Sequence, residues 1–181
     1  MGKTCLVFLA EGFEEIETVT PVDIFRRAGM EVTVASLDAK TAVMGRSNIT
    51  VLADCTLDSV ASRDFDCVFC PGGPGTKLLR EDQRVLDIVA KHFSAGKCVT
   101  AICAAPTVLD AAGILSGKKY TAHFSVAETL KEISAAKVVV DGTVITSKGA
   151  GTSVEFALAV VKLVVGAEDA EKVAKAIEFS S

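Results

Sequence analysis

Short apolar runs of strand length alternate along the chain with longer stretches whose apolar positions recur at helical spacing, the order expected of parallel βαβ units. Thr4 to Ala10 predicts a first strand. Helical spacing continues through Ile16, Val19, Ile24 and Phe25 to Gly29, a helix-stop residue, and a β-branched strand follows from Glu31 to Ser36. That closes a first βαβ unit. Further strands are predicted near Asn48 to Ala53 and at Asp66 to Cys70, the second running into the Pro71-Gly72-Gly73 turn. Leu78, Leu79, Val85, Leu86, Val89 and Phe93 then mark a helical pattern that lasts to Gly96.

Cys98 to Ile102 predicts a buried strand that stops at Cys103, and Pro106 falls where the first turn of a helix tolerates proline. This helix ends by Gly113. Val138 to Ile145 reads as strand, Asp141-Gly142 turn and strand, a hairpin. Gly149-Ala150-Gly151 leads into an apolar helix from Thr152 to Val165, and an amphipathic helix closes the chain. No linker, repeat or low-complexity segment interrupts the pattern. The expectation is one α/β domain over residues 1–181, a doubly wound, mostly parallel sheet sandwiched by helices.

Composition narrows the function. Half of the 181 residues are apolar, enough for a full core, and the net charge is −4. Lys and Arg are scattered, so the basic stripe required for nucleic acid or an anionic membrane is missing, and a small molecule or a protein is the expected partner. The N-terminus lacks the pattern of a signal peptide and no apolar run reaches ~18 residues, so a cytoplasmic protein is expected. Six cysteines in a chain with a large core and a reducing compartment do not call for disulfides. Asn48-Ile49-Thr50 matches a glycosylation acceptor only if the chain is secreted.

Cys103 is the first candidate for chemistry. In Ala101-Ile102-Cys103-Ala104-Ala105-Pro106, small residues two before and two after the cysteine permit a tight strand-to-helix turn, a nucleophile elbow. Such a turn exposes the side chain where doubly wound sheets bind ligands, and the following helix N-terminus favours thiolate. The competing role is a small buried hydrophobe. Cys67 and Cys70, three apart in a strand, point to opposite faces and do not form a metal or redox pair. No metal site is expected.

Glu11, Glu14, Glu15 and Glu17 crowd the first strand-to-helix junction. With a helix running from Phe13, Phe13, Ile16, Glu17, Thr20 and Ile24 share a stripe, and Glu17 is the carboxyl that faces inward. A buried Glu17 would have a raised pKa and could move protons. Thr20-Pro21-Val22-Asp23 also resembles a helix start, which would leave Glu17 in a solvated turn. His92 reads as a solvated helix terminus, whereas His123 sits in a loop, the commoner place for a catalytic group. Gly149-Ala150-Gly151-Thr152-Ser153 lacks the lysine of a phosphate loop and reads as a tight packing turn.

With Glu11-Gly-Phe-Glu-Glu-Ile-Glu17, Pro21-Val-Asp23, Pro71-Gly-Gly73, Ala101-Ile-Cys103-Ala-Ala-Pro106, His123 and Gly149-Ala-Gly-Thr-Ser-Val-Glu-Phe-Ala-Leu158 in order, the chain resembles the DJ-one/ThiJ/PfpI superfamily. It is most similar to the branch of the Parkinson-disease-associated protein deglycase. The resemblance implies a flavodoxin-like sheet, a homodimer and no cofactor. It also implies that Cys103 is nucleophile and oxidation sensor, that Glu17 hydrogen-bonds its sulfur with His123 nearby, and that the Gly73 and Ala104 amides form an oxyanion pocket. Ala104 stands where the peptidase-like branches place histidine, and His123-Phe124-Ser125 lacks the His-x-Glu of glutamine amidotransferases. Arg46-Ser47 reverses the Ser-Arg common in the close branch, leaving open an arginine contribution to a neighbouring subunit. The function implied is a glutathione-independent glyoxalase or protein deglycase acting on reactive dicarbonyls or their adducts in oxidative and carbonyl stress. The alternative is a redox sensor or chaperone that signals through oxidation of Cys103.

Overall fold

The alternating pattern is realised as a seven-stranded sheet with helices on both faces in the computed structural model, which describes residues 2–180. The strands are β1 (Thr4–Leu9), β2 (Glu31–Ser36), β3 (Ala42–Met44), β4 (Thr50–Leu52), β5 (Cys55–Thr56), β6 (Cys67–Cys70), β7 (Cys98–Ile102), β8 (Val138–Asp141) and β9 (Val144–Ser147). The helices are α1 (Glu15–Arg27), α2 (Thr76–Glu81), α3 (Gln83–Ser94), α4 (Pro106–Ala111), α5 (Ser153–Val164) and α6 (Ala167–Ala176). The sheet order is β5-β2-β1-β6-β7-β9-β8, all parallel but for the terminal β8–β9 hairpin.

Strand alternation divides the core in two. Leu6 and Phe8 of β1 pack with Val85, Val89 and Leu109 on one face, while Cys5, Val7 and Leu9 join Phe25, Phe156 and Val160 on the other. Phe69 anchors the second layer, its ring 6.0 Å from Phe25 edge-on and 5.3 Å from Phe156. Burying each such ring contributes roughly 1.5–3 kcal/mol. Because β1, β6 and β7 are parallel neighbours, the loops leaving Leu9, Cys70 and Ile102 emerge side by side at one end of the sheet. Ligands bind at this end in doubly wound folds.

Several elements differ from the sequence pattern. The strand expected near Asn48 to Ala53 is β4, which pairs with β3 in a separate two-stranded ribbon because the main sheet is already extended by β5. The single helical pattern from Leu78 to Phe93 is broken at Asp82, whose carboxylate caps α3 by accepting the Arg84 N–H at 2.9 Å. Helix α1 starts at Glu15 and runs through Pro21, so the proline does not begin it. Its inward face carries Glu17, Thr18, Pro21, Ile24 and Phe25, whereas Ile16 and Val19, part of the apolar spacing, are exposed.

His92 is buried, contrary to its reading as a solvated terminus. It completes the Val85, Ile88, Val89, His92 stripe on the inner face of α3. Its Nε2 accepts the Phe65 N–H at 3.0 Å, and Nδ1 donates to the Ile88 carbonyl at 2.7 Å. Burial pushes its pKa below the ordinary histidine value, so the folded state holds the ring neutral. Substituting His92→Leu orphans the Phe65 N–H and should cost about 1–3 kcal/mol at pH 7.5. The unfolded ring gains a proton before the folded one as pH falls through about 6.5, so the wild type loses stability there and the variant does not. Urea midpoints should therefore converge between pH 7.5 and 5; a constant gap would contradict this role.

Candidate active site

At the end of β7 the chain turns back on itself at Cys103, which holds a left-handed φ of 65°. That conformation costs a non-glycine residue of order 1 kcal/mol and needs external restraint. Two backbone bonds supply it: Cys103 N–H donates to Ser147 O at 2.9 Å, and Cys103 O accepts from His123 N–H at 2.8 Å. Ala101 and Ala105, both fully buried, leave room for the turn, and α4 begins at Pro106. Cys103 itself is half-buried.

The loop after β6 presses against this elbow. A Cβ on Gly72 would stand 2.6 Å from Cys103 Cβ and 3.0 Å from Ile102 O, and would strike Glu17 Oε2. At Gly73, φ is 92° and a Cβ would lie 2.6 Å from both Glu14 N and Gly12 O. Only glycine fits either place. The Gly73 and Ala104 amides consequently face the Cys103 sulfur from two loops.

Glu17 reaches the elbow from the first turn of α1. Glu14 fixes that turn, accepting the Glu17 N–H at 2.7 Å as the helix N-cap. The Glu15 carboxylate ties the same turn to the β3–β4 ribbon by accepting the Ser47 N–H at 2.7 Å. Glu17 is only 2% exposed, and its Oε2 has no hydrogen-bond partner. At Gly149, the position a Cβ would take lies 3.5 Å from Glu17 Oε1, 3.5 Å from His123 Cδ2 and 3.9 Å from Cys103 Sγ. Thus Cys103, Glu17 and His123 converge on one point. The turn from Ala150 to Thr152 closes on itself through the Thr152 hydroxyl and Gly149 O at 2.8 Å.

Burial is the dominant influence on the ionisation of Glu17, raising its carboxyl to about 7, and repulsion from Glu14 adds to it. The Cys103 hydrogen bond, the Ala150 amide and Arg46 offset part of the rise. Cys103 is pushed up to about 12, by burial first and then by the Glu17 charge and hydrogen bond. The lowering by the Ala104 and Gly73 amides is smaller. Burial and Glu17 both oppose the thiolate expected from the helix N-terminus. A short helix offers little field, and the adjoining carboxylate outweighs it. The two groups titrate as a pair, passing from two protons to one near neutrality.

His123 is oriented by Ser125. The Ser125 N–H donates to His123 Nδ1 at 3.3 Å, and Ser125 Oγ lies 2.8 Å from the same nitrogen. A backbone N–H can only donate, so Nδ1 is the acceptor and the neutral ring carries its proton on Nε2. Phe124, 81% exposed, packs on the ring with centroids 4.1 Å apart.

These groups border a cavity of about 490 Å³ that Arg46, Lys77 and Arg80 also line. Lys77 and Arg80 carried no signal in the sequence beyond their spacing of three on a helix that follows the Pro71-Gly72-Gly73 turn. Cys67 and Cys70 lie on opposite faces of β6, in separate core layers, and Cys55 is half-buried on the edge strand β5. Among the described residues no three His, Cys, Asp or Glu side chains are grouped to hold a metal ion.

Comparison with known proteins agrees with this arrangement of motifs. Protein dj-1beta of Drosophila melanogaster is 41% identical over 98% of this chain and 97% of its own. A protein named as a deglycase from Thermococcus kodakarensis is 33% identical over 87% of this chain and 97% of its own. The crystal structure of Drosophila melanogaster DJ-1beta superposes with a TM-score of 0.96 at 40% identity, covering 100% of both chains. The model of the DJ-1/PfpI family matches residues 3–163, and the chain belongs to that family.

Proposed function

We propose that this protein is a cofactor-free cysteine enzyme of the glyoxalase or deglycase type, acting on reactive dicarbonyls or their adducts. The observation that carries the reading is the convergence of a thiol, a carboxyl poised near neutrality and an Nε2–H donor, with two backbone amides facing the sulfur. The deglycase name of one relative supports the same class of chemistry.

On a 2-oxoaldehyde, Cys103 Sγ attacks the aldehyde carbon and its proton passes to the Glu17 carboxylate. The new C–S bond displaces the carbonyl π pair onto oxygen, where the Gly73 and Ala104 amides stabilise it until Glu17 passes the thiol proton on to it, completing the hemithioacetal and restoring the carboxylate. Glu17 then takes the proton from this carbon and returns it at the adjacent ketone carbon, while the hemithioacetal hydroxyl proton passes to the ketone oxygen, which His123 Nε2–H holds by a hydrogen bond. The product is a thioester of a 2-hydroxy acid. Water hydrolyses it, releasing the acid and restoring the thiol, so the net change is addition of one water. A deglycase would use the same attack on a sugar- or dicarbonyl-derived adduct.

The raised thiol suits an enzyme that ionises its cysteine only as substrate arrives. The proposal includes a homodimer in the cytoplasm. Ile16 and Val19 of α1 and Met44, Ile49 and Leu52 of the β3–β4 ribbon and its turn are large apolar side chains left exposed on two elements tied together, the Arg46 N–H donating to Phe13 O at 2.9 Å.

With methylglyoxal and no glutathione, Cys103→Ser should abolish lactate formation with the fold retained by circular dichroism, since an unassisted hydroxyl is a poor nucleophile. Glu17→Gln should lower kcat about 10²–10⁴-fold. The active form of the pair carries one proton, so wild-type kcat/KM should rise with pH through about 7, and this limb should vanish in the variant. Undiminished turnover in Cys103→Ser, or an unchanged limb in Glu17→Gln, would refute the mechanism. Light scattering at micromolar concentration should give twice the chain mass, and Leu52→Glu should shift it toward monomer; a monomeric wild type would remove the dimer from the account.

A further inference from the structure

The chain has six arginines, and their partners differ in a telling way. Arg26 pairs with Asp54, Arg27 with Asp23, and Arg84 with Asp58 and Asp82, while Arg63 lies 5.0 Å over the Phe65 ring. The other two, Arg46 and Arg80, have no side-chain hydrogen bond or ion pair among the described residues, and both line the cavity above Cys103. Arg80 is half-buried, which makes an idle guanidinium costly in a chain with 23 acidic residues. Lys77, three residues before it on α2, also lines the cavity and reaches only Glu81, at 4.0 Å in an exposed pair of little strength.

The cavity's own carboxylates do not neutralise these cations. Glu14 contributes one negative charge while it caps α1, and Glu17 is half protonated near neutrality, so the two fall short of the three cations Arg46, Lys77 and Arg80. The cavity is therefore locally cationic in a chain of net charge −4. Its volume of about 490 Å³ is in the range that holds drug-sized ligands and exceeds the needs of a three-carbon dicarbonyl. We propose that Arg80 and Lys77 form an anion subsite which selects carbonyl substrates bearing a carboxylate or phosphate. The inference deepens the enzymatic reading above and takes its reacting centre from it. Helix α2 follows directly on the loop of Gly73, so a carbonyl held at the Gly73 amide directs the remainder of the substrate toward α2. A planar guanidinium matches either oxyanion with two parallel hydrogen bonds, and a cleft of one sign concentrates ligands of the other.

A matched pair of alkylating agents tests the subsite without relying on turnover. Rates of Cys103 modification by anionic iodoacetate and neutral iodoacetamide are measured by peptide mass spectrometry at low salt. The iodoacetate-to-iodoacetamide rate ratio should fall about tenfold in Arg80→Gln and less in Arg80→Lys, and Lys77→Gln should lower it independently. Inorganic phosphate should slow iodoacetate selectively in the wild type. Turnover of 4,5-dioxopentanoate, of 3-phosphonooxy-2-oxopropanal and of methylglyoxal then separates carboxylate from phosphate, with whichever anion is preferred losing its advantage in kcat/KM in Arg80→Gln. A ratio unchanged by all three substitutions would overturn the subsite even if every dicarbonyl is consumed. A ratio that falls while no dicarbonyl is consumed would uphold the subsite and refute the glyoxalase reading.

Discussion

The site depends on a carboxyl and a thiol being held together where burial limits the solvation of either charge. Glu17 is driven up to about 7 and Cys103 to about 12 mainly by burial; the Glu17 charge further disfavours ionisation of Cys103, while the Cys103 hydrogen bond offsets part of the rise at Glu17. Above about pH 7 the pair retains one proton with two possible seats. A proton held this way moves with little rearrangement, because both seats are fixed by backbone: Cys103 by the Ser147 and His123 bonds, Glu17 by the Glu14 cap.

Everything around the pair serves that close approach. The parallel order of β1, β6 and β7 brings three loops to one sheet end, and each contributes one component: Glu17, the Gly72-Gly73 turn and Cys103. The turn passes between carboxyl and thiol with no space for a side chain, so the absence of a Cβ at Gly72 is as much a part of the site as the reactive groups. Two fully buried alanines flanking Cys103 extend the same economy of volume, and the β9 carbonyl of Ser147 completes the restraint from the far side.

Much of this was legible in the chain. Short apolar runs alternating with helical spacing marked the βαβ order, and the small residues around Cys103 marked the elbow, because both signals are local. The inward placement of Glu17 was legible only as one of two alternatives, since Pro21 permits a helix start as well as a helix interior. Apolarity misled at Ile16 and Val19, which are exposed although they follow helical spacing. The i, i+3, i+4, i+7 stripe ending at His92 carried its burial, yet a charged-type residue at a helix end reads as solvated until its partner, the Phe65 N–H from a distant loop, is known. The resting thiol state was illegible for the same reason: it depends on Glu17 and on desolvation, both set by tertiary packing rather than by the six-residue α4 that sequence brings to attention. Lys77 and Arg80 became visible only when the cavity wall they form was in place.

The roles of the three converging groups follow from who already holds a proton. His123 offers Nε2–H because Ser125 occupies Nδ1, so the carboxyl is left as the base for the thiol. That division rests on the ionisation of Glu17 in the resting protein, which can be read directly by carbon-13 NMR of its side-chain carboxyl with thiolate absorbance followed in parallel. A Glu17 midpoint near 7, with no thiolate absorbance from Cys103 at that pH, is the expected result. A midpoint near the ordinary carboxylate value of about 4.3, accompanied by thiolate absorbance at neutral pH, would contradict the shared-proton account.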